Sequence, residues 1–288
     1  MLTFRRNAGQ RPLDAHYCLA PRDASPYNPR MSDDFYDRIA TYYDLEFHDF
    51  DTDAQLYLGY AGLVGSPILE LGCGTGRLLL ALAQAGYQVT GIDRSPAMLA
   101  IARQRVHQAH LDTVVAIEED DMRDLGRFPD QYFRLVFAAI NGFLHLPDRT
   151  QQLQALAAVR RVLHPDGLLI LDIFHPTPAI LGTMDDRLTR DGSWQLPGDE
   201  RLDRFTHRHI FPAEQRVRTT HYYDHVGPAG AVHRTIADYD LRYVHRFELE
   251  TLLDLAGFAI EGIYGSYALD LLEDDSATMI FVAHRRMP

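Results

Sequence analysis

The sequence predicts an α/β protein, with a parallel sheet covered by helices on both faces and an antiparallel β insertion late in the chain. Three observations carry this expectation. Short apolar runs alternate with helix-length stretches between Ile68 and Phe174. The first of these runs ends in Glu70-Leu71-Gly72-Cys73-Gly74-Thr75-Gly76, with glycines at alternate positions opening onto a helix-compatible stretch. The alternation then breaks from about His175 to Val244, where β-branched and aromatic runs are separated by turns.

Taken in order, residues 1–30 carry Pro, Arg, Asn and Asp without sustained periodicity and read as a flexible leader, with Met31 as an alternative translation start. Residues 31–60 read as N-terminal helices, opened by Ser32 as N-cap, with Phe35, Ile39 and Tyr43 at helical spacing. The core spans 61–174. A first strand ends in the acidic Glu70, just ahead of the glycines, and a helix runs from Arg77 to Ala85. A second strand, Gly86 to Ile92, ends at Asp93, and Ser95-Pro96 opens a helix to about Ala109 with Pro at its first position. Val114 to Ile117 and Phe133 to Ile140 are the third and fourth strands. Arg149 to Leu163 is a helix, His164-Pro165-Asp166-Gly167 a turn, and Leu168 to Phe174 the fifth strand.

The insertion, 175–245, contains no convincing helix. Its expected strands are Arg204 to Phe211, Gln215 to Val226 and Ala231 to Tyr243, with Gly227-Pro228-Ala229-Gly230 as a hairpin connection. Residues 246–288 complete the core: a helix, Phe247 to Ala256, ended by Gly257, then strands Phe258 to Tyr264 and Ala277 to His284.

The bulk properties narrow the function. In 288 residues, 46% hydrophobic and 24% charged, no apolar run approaches a membrane span. The first ten residues lead into no secretory h-region, and Cys18 and Cys73 make no disulfide framework, so a cytoplasmic location is expected. A formal net charge of −12 argues against nucleic acid as the partner, because phosphate binding needs a basic surface.

The glycine run is the most informative motif. Gly72 and Gly74 let the backbone turn sharply and let a ligand lie against it, while Gly76 lets the helix pack closely on the strand. A dinucleotide fingerprint, G-x-G-x-x-G, would place its third glycine at position 77, which is Arg. A ligand without phosphates but with a charged amino acid tail suits this loop better. An NAD-dependent oxidoreductase shares the glycine loop and Asp93 and stands as a competing reading. Asp93 falls 17 residues after Gly76, at the end of the second strand, where one carboxylate offers two acceptors to the hydroxyls of a ribose. Ligands of open parallel sheets sit off the carboxyl ends of the strands, which brings Asn141 and His145, after the fourth strand, toward the chemistry.

With Asp93, and with Asp121-Met122-Arg123-Asp124-Leu125 after the third strand, the run Glu70 to Gly76 resembles the class I S-adenosylmethionine (SAM)-dependent methyltransferases. Tyr36 to Asp44 is similar to the N-terminal helix that closes over the cofactor in their small-molecule members. The resemblance covers roughly residues 33–285. It is nearest in style to sugar-amine N,N-dimethyltransferases and glycine N-methyltransferase-like enzymes. It implies a Rossmann-like sheet of seven strands with the last antiparallel, and SAM as the cofactor with S-adenosylhomocysteine as product. The implied reaction is transfer of a methyl group to N or O of a small molecule by in-line displacement.

The resemblance also implies cofactor contacts from Tyr36, Glu70, Gly72, Cys73, Gly74, Gly76, Asp93, Arg94, Met98, Asp121, Met122 and Asn141, with Asp121 accepting from the adenine amine. His145 and Tyr43 are the catalytic candidates, with Tyr222, Tyr223 and Tyr239 as further hydroxyls. The fourth strand ends in neither Asn/Asp-Pro-Pro-Tyr nor Pro-Cys, the marks of amino and cytosine-C5 methylases of nucleic acids and proteins. A nucleic-acid methyltransferase and a SAM-binding protein without methylating activity remain the alternatives. The insertion is expected to wall the acceptor site, to form a homodimer contact, or both. It holds His207/His209 and His221/His225 at same-face strand spacing, but no Cys accompanies them and no metal is expected.

Overall fold

A computed structural model describes residues 30–47 and 50–286, so the expected leader lies outside the described residues apart from Arg30. Two helices come first. Helix α1 (Arg30–Glu46) reaches back to Arg30, so Ser32 lies within its first turn and is not its cap. Helix α2 (Ala54–Val64) buries Leu56, Tyr57, Tyr60 and Ala61 and crosses the boundary expected at residue 60.

The core alternates as the periodicity predicts: β1 (Ile68–Leu71), α3 (Arg77–Gln84), β2 (Val89–Asp93), α4 (Pro96–Gln108), β3 (Val115–Glu119), β4 (Phe133–Ala138), α5 (Arg149–Val162) and β5 (Leu163–Phe174). Each helix has a local cause. Leu78, Leu79, Leu82 and Ala83 give α3 one buried face. Ser95 caps α4 by accepting from the Met98 N–H at 3.2 Å, with Pro96 in the first turn, and Asp148 caps α5 through the Gln151 N–H. Strand β2 starts three residues later than expected, because Gly86 (φ 93) ends the turn after α3. Strand β4 stops at Ala138 because Ile140 and Asn141 turn left-handed, at φ 45 and 66. The turn expected at His164 to Gly167 is instead absorbed into β5. Phe133 pairs with Leu163 and Leu135 with Leu168, so the intervening residues bulge out of the ladder.

After β5 the short helix α6 (Pro178–Gly182) corrects the expectation of a helix-free insertion; Thr177 caps it through the Ile180 N–H. Four antiparallel strands follow, β6 (Thr189–Leu196), β7 (Glu200–Phe211), β8 (Arg216–Val226) and β9 (Val232–Arg242), paired in that order as a separate sheet. The first was missed because Thr189 to Leu196 is mostly polar and exposed, and the Gly227 to Gly230 connection stands where composition put it. Helix α7 (Arg246–Leu255) and strands β10 (Phe258–Tyr264) and β11 (Thr278–Arg285) complete the main sheet. Its order is β10-β11-β5-β4-β1-β2-β3, parallel except that β11 runs against both neighbours. One core layer lies under α5 and α7, another under α2, α3 and α4. A third cluster, with Phe35, Ile39, Met98, Leu202 and Tyr223, joins α1 to the insertion sheet. The strand order reverses between β1 and β4, and the crevice at their carboxyl ends opens beneath α1.

Candidate functional site

The loop after β1 is built by its glycines. Gly72 (φ 75) and Gly74 (φ 54) take conformations that side chains rarely adopt, and the space where a Cβ of Gly72 would point is open. Gly76 (φ 82) starts α3, where a Cβ would come within 3.2 Å of Ala102 Cβ, so its role is close packing of helix on helix. Arg77 follows, and its guanidinium grips the fully buried carboxylate of Asp53 with two bonds of 2.7 and 2.6 Å. The side chain that departs from a dinucleotide pattern thus ties the start of α3 to the start of α2.

A cavity lies off the strand ends. Its walls are Tyr36 and Tyr43 from α1, Gly72 and Gly74, Ile92 to Ser95, Met98, Asp120 to Met122, and then Ala139, Ile140, Gly142, His145 and Leu146. Asp93 anchors its centre. One carboxylate oxygen accepts from the Gly74 N–H at 2.8 Å, the other from the Ser95 N–H at 2.9 Å. A carboxylate has about four lone-pair sites, so each oxygen keeps capacity for a ligand hydroxyl. Burial pushes the Asp93 carboxyl up, against the pull of those backbone donors.

Of the expected contacts, Tyr36, Tyr43, Gly72, Gly74, Asp93, Arg94, Met98, Asp121, Met122 and His145 line this cavity, whereas Glu70, Cys73, Gly76 and Asn141 do not. Each exception has a reason. Glu70 is buried in β1 with its carboxyl pushed well up by desolvation, and its Oε2 has no hydrogen-bond partner among the described residues. The Cys73 side chain packs on the backbone at Gly91, where a Cβ would meet its Sγ at 2.8 Å, and burial raises its thiol. Asn141 does not face the chemistry, because its Oδ1 accepts from the Phe174 N–H at 2.7 Å. Asp121 reaches the cavity wall but is bound by Arg123, through Nε at 2.9 Å and Nη2 at 2.5 Å, and these contacts hold its carboxyl below the usual range although burial opposes them.

The catalytic candidates meet a second residue. The Tyr36 hydroxyl lies 2.8 Å from His145 Nε2, with Tyr239 of the insertion packed beside both rings at 6.4 and 5.6 Å between centroids. Burial lowers His145 to about 4 and raises the Tyr36 phenol well above its ordinary value, so both are neutral near pH 7. Tyr43 lies across Gly74, its ring 3.7 Å from where a Cβ would stand, and its hydroxyl is likewise held protonated by burial. Tyr223 is spent on Glu46, and Tyr222 stands beneath the Arg234 guanidinium. Among the insertion histidines, His207 and His209 share Asp186, His225 meets Glu200, and His221 pairs with Thr206 at 2.7 Å.

Three carboxylates contribute beyond those the motifs point to. Asp172, 1% exposed, sits among the apolar residues of β5 and accepts from the Ile140 N–H at 3.0 Å and the Tyr267 hydroxyl at 2.9 Å, and burial raises it to about 6. An acid inside the run Leu168 to Phe174 was the available signal. Asp37 and Asp44 of α1 reach the core, a role that an exposed helix face does not announce.

Residues 68–167 match the family model described as a methyltransferase domain. Over 106 residues the chain is 34% identical to the putative methyltransferase YqeM of Bacillus subtilis, covering 37% of this chain and 41% of that protein. It is 28% identical over 233 residues to the cypemycin N-terminal methyltransferase of a Streptomyces, covering 78% of this chain and 85% of that one. That protein aside, the chain spans about half the length of the curated relatives it matches. Among solved structures, a SAM-dependent methyltransferase of Clostridium acetobutylicum superposes with a TM-score of 0.73 at 16% identity, covering 88% and 99% of the two chains. DesVI of Streptomyces venezuelae gives 0.66 at 21% identity, covering 84% and 97%. The seven-stranded sheet with its reversed β11, and the separate sheet after β5, make the fold that of the class I methyltransferases.

Proposed function

We propose that this chain, built on the methyltransferase domain of residues 68–167, transfers a methyl group from SAM to nitrogen or oxygen of a small-molecule acceptor. The observation that carries the reading is the placement of Asp93 between the Gly74 and Ser95 N–H groups, in a cavity lined by a bare glycine loop on one side and by Tyr36 and Tyr43 on the other. These residues fit the cofactor. Gly72 and Gly74 leave room for an amino acid tail, Asp93 offers acceptors to a ribose, and Asp121 and Met122 bound the far end for the base. When bound, SAM supplies an electrophilic methyl group on a sulfonium.

The chain's own work is alignment and proton handling. Tyr36, Tyr43 and the core strands enclose the cavity and exclude water, and orientation of this kind can supply about 7–11 kcal/mol. With Nε2 of His145 unprotonated, the Tyr36 hydroxyl donates to it and turns its oxygen lone pair toward an acceptor N–H or O–H. The acceptor proton then passes to the Tyr36 oxygen as the Tyr36 proton passes to Nε2, so His145 is the base and Tyr36 the relay. Tyr43 covers the glycine loop and keeps its proton.

The acceptor is a small molecule, and the insertion comes near the cavity through Tyr239, which packs against Tyr36 and His145 behind its lining. A homodimer contact through the insertion sheet, on which Val232 and Ile236 of β9 are exposed, is part of the proposal. Among the described residues no helix is long and apolar enough to cross a membrane. Calorimetric titration with S-adenosylhomocysteine, with NADH as the control, tests the reading. Micromolar binding of the former alone is expected, followed by transfer of labelled methyl to amine or hydroxyl acceptors. Preference for NADH would overturn it.

A further inference from the structure

A third ring stands behind the Tyr36–His145 pair. Those two rings meet edge to face at 5.4 Å between centroids, and Tyr239 of β9 lies against both, 6.4 Å from the first and 5.6 Å from the second. Tyr36 and His145 line the cavity, whereas Tyr239 does not. The insertion therefore backs the pair without reaching the ligand space.

The surroundings of Tyr239 fix it in this place. Its hydroxyl is bonded to Thr219, which stands opposite on β8 and is 2% exposed. Its ring packs on Phe35 of α1 at 4.6 Å and on His221 of β8 at 5.7 Å. The hydroxyl, a candidate proton acceptor from the sequence, is thus occupied within the insertion, and the ring is what meets the pair.

That ring matters because packing keeps His145 neutral. Among the described residues, burial is the one cause that lowers it, and Tyr36 from α1 and Tyr239 from β9 are the titratable side chains whose rings meet it. Tyr36 in turn faces Tyr43, Asp93 and Glu46, and Tyr239 faces Arg204, Arg208 and Glu46. Tyr239 is itself only partly buried, so its removal opens the pair to water from the insertion side.

We propose that Tyr239 is a positioning residue through which the insertion seals the Tyr36–His145 pair from behind, keeping water off Nε2 and the Tyr36 hydroxyl directed at it. The inference rests on reading that pair as the proton path of the proposed transfer. Tyr239 acts through the two residues that line the cavity, and its ring carries the role, not its hydroxyl.

Ring-carbon NMR of the histidines in ligand-free protein tests the seal. The His145 signal is assigned by its loss in His145→Ala, and the His221 signal by its loss in His221→Gln. In the parent, His145 should stay neutral down to about 4. Tyr239→Ala should raise its midpoint toward the ordinary 6.5, by about one pH unit or more, and Tyr239→Phe should leave it in place. Loss of stability alone does not give that pattern: Leu202→Ala, which empties a fully buried position in the same sheet, should cost stability with His145 unmoved. If Tyr239→Ala does not fold, Tyr239→Leu, which keeps part of the bulk, should show a smaller rise in the same direction. A parent His145 that titrates near 6.5, an unmoved His145 in the variant that removes the ring, or an equal rise in Leu202→Ala overturns the seal. A rise in Tyr239→Phe equal to that in Tyr239→Ala also overturns it, because the effect then lies in the hydroxyl. Calorimetry with S-adenosylhomocysteine on the same preparations keeps the two readings apart. A parent that binds none overturns the cofactor reading, and the His145 titration still decides the seal.

Discussion

The carboxylate of Asp172, at the end of β5, accepts the backbone N–H of Ile140 at 3.0 Å and so holds the left-handed Ile140-Asn141 turn that ends β4. That turn leads directly into the short helical turn Gly142–His145, so the carboxylate sets the height of His145 against Tyr36. Replacing Asp172 by Ala leaves the partly buried Ile140 N–H and Tyr267 hydroxyl without this acceptor. A loss of about 2 kcal/mol in urea unfolding is expected, the lower end of roughly 1–3 kcal/mol for each of the two groups because both are partly exposed, together with a fall in kcat. Asp172→Asn keeps an acceptor and should retain most of both. Equal loss in the two variants would mean that the carboxyl does not act through this bond.

Buried titratable groups give the protein a defined acid response. Burial holds His145 and His221 down, at about 4 and about 3 against an ordinary 6.5. A histidine depressed in the folded state stabilises above 6.5 and loses that contribution as pH falls toward its folded value. Each is expected to cost about 2 kcal/mol at pH 5 relative to pH 8. Asp172, raised to about 6 from 3.8, works in the opposite sense, its contribution being full below 3.8 and lost as pH rises through 6. It recovers about 1 kcal/mol over the same interval. Glu70 and Asp93, also pushed up by burial, act in the same sense as Asp172, so the histidine contribution is read from a variant: the urea midpoint at pH 8 minus that at pH 5 should be smaller in His221→Gln than in the parent. An unchanged difference would count against a neutral buried His221.

Much of this site was legible because certain residues have few other uses. Alternate glycines after an acid-terminated strand, and a carboxylate 17 positions later, specify a loop and an acceptor whose neighbours follow from strand order alone. A side chain with a choice of partners is harder to place. Asn141 stands at the expected strand end, but its amide completes the backbone of β5. Asp121 stands at the cavity wall as expected, and its pairing with Arg123 is the part that the sequence does not announce. The first insertion strand, β6, and the core contacts of α1 depend on polar surfaces or on pairing across more than 30 residues, where periodicity carries little signal.

The Tyr36–His145 pair predicts a pH profile unlike that of an ordinary histidine base. His145 is neutral down to about 4, so its basic form is already complete at pH 5. The ratio kcat/KM is expected to stay level from pH 8 to pH 5, without the break near 6.5 of an exposed imidazole. His145→Ala should lower kcat by about 10², the lower end of general base catalysis because an imidazole held near 4 is a weak base, and Tyr36→Phe by a comparable factor, because the relay needs the hydroxyl. A break near 6.5 in the parent, or undiminished turnover in either variant, would remove the pair from proton transfer.

Asp93 joins two functions that one substitution can separate. Its oxygens secure the Gly74 and Ser95 N–H groups, and their remaining lone pairs face the cavity. Asp93→Ala should therefore loosen the glycine loop and remove the ribose acceptors together. Loss of two hydrogen bonds to a charged group, at about 1.5–3 kcal/mol each, implies at least a hundredfold weaker binding of S-adenosylhomocysteine. Asp93→Asn keeps one oxygen to accept from the backbone but offers an amide where the second acceptor stood. Its unfolding midpoint should lie closer to the parent's than that of the alanine variant, while its affinity remains well below the parent's. Calorimetry and urea unfolding on the same preparations decide the matter. Should affinity follow stability in proportion through both variants, Asp93 serves the loop alone, and the ribose contact falls away.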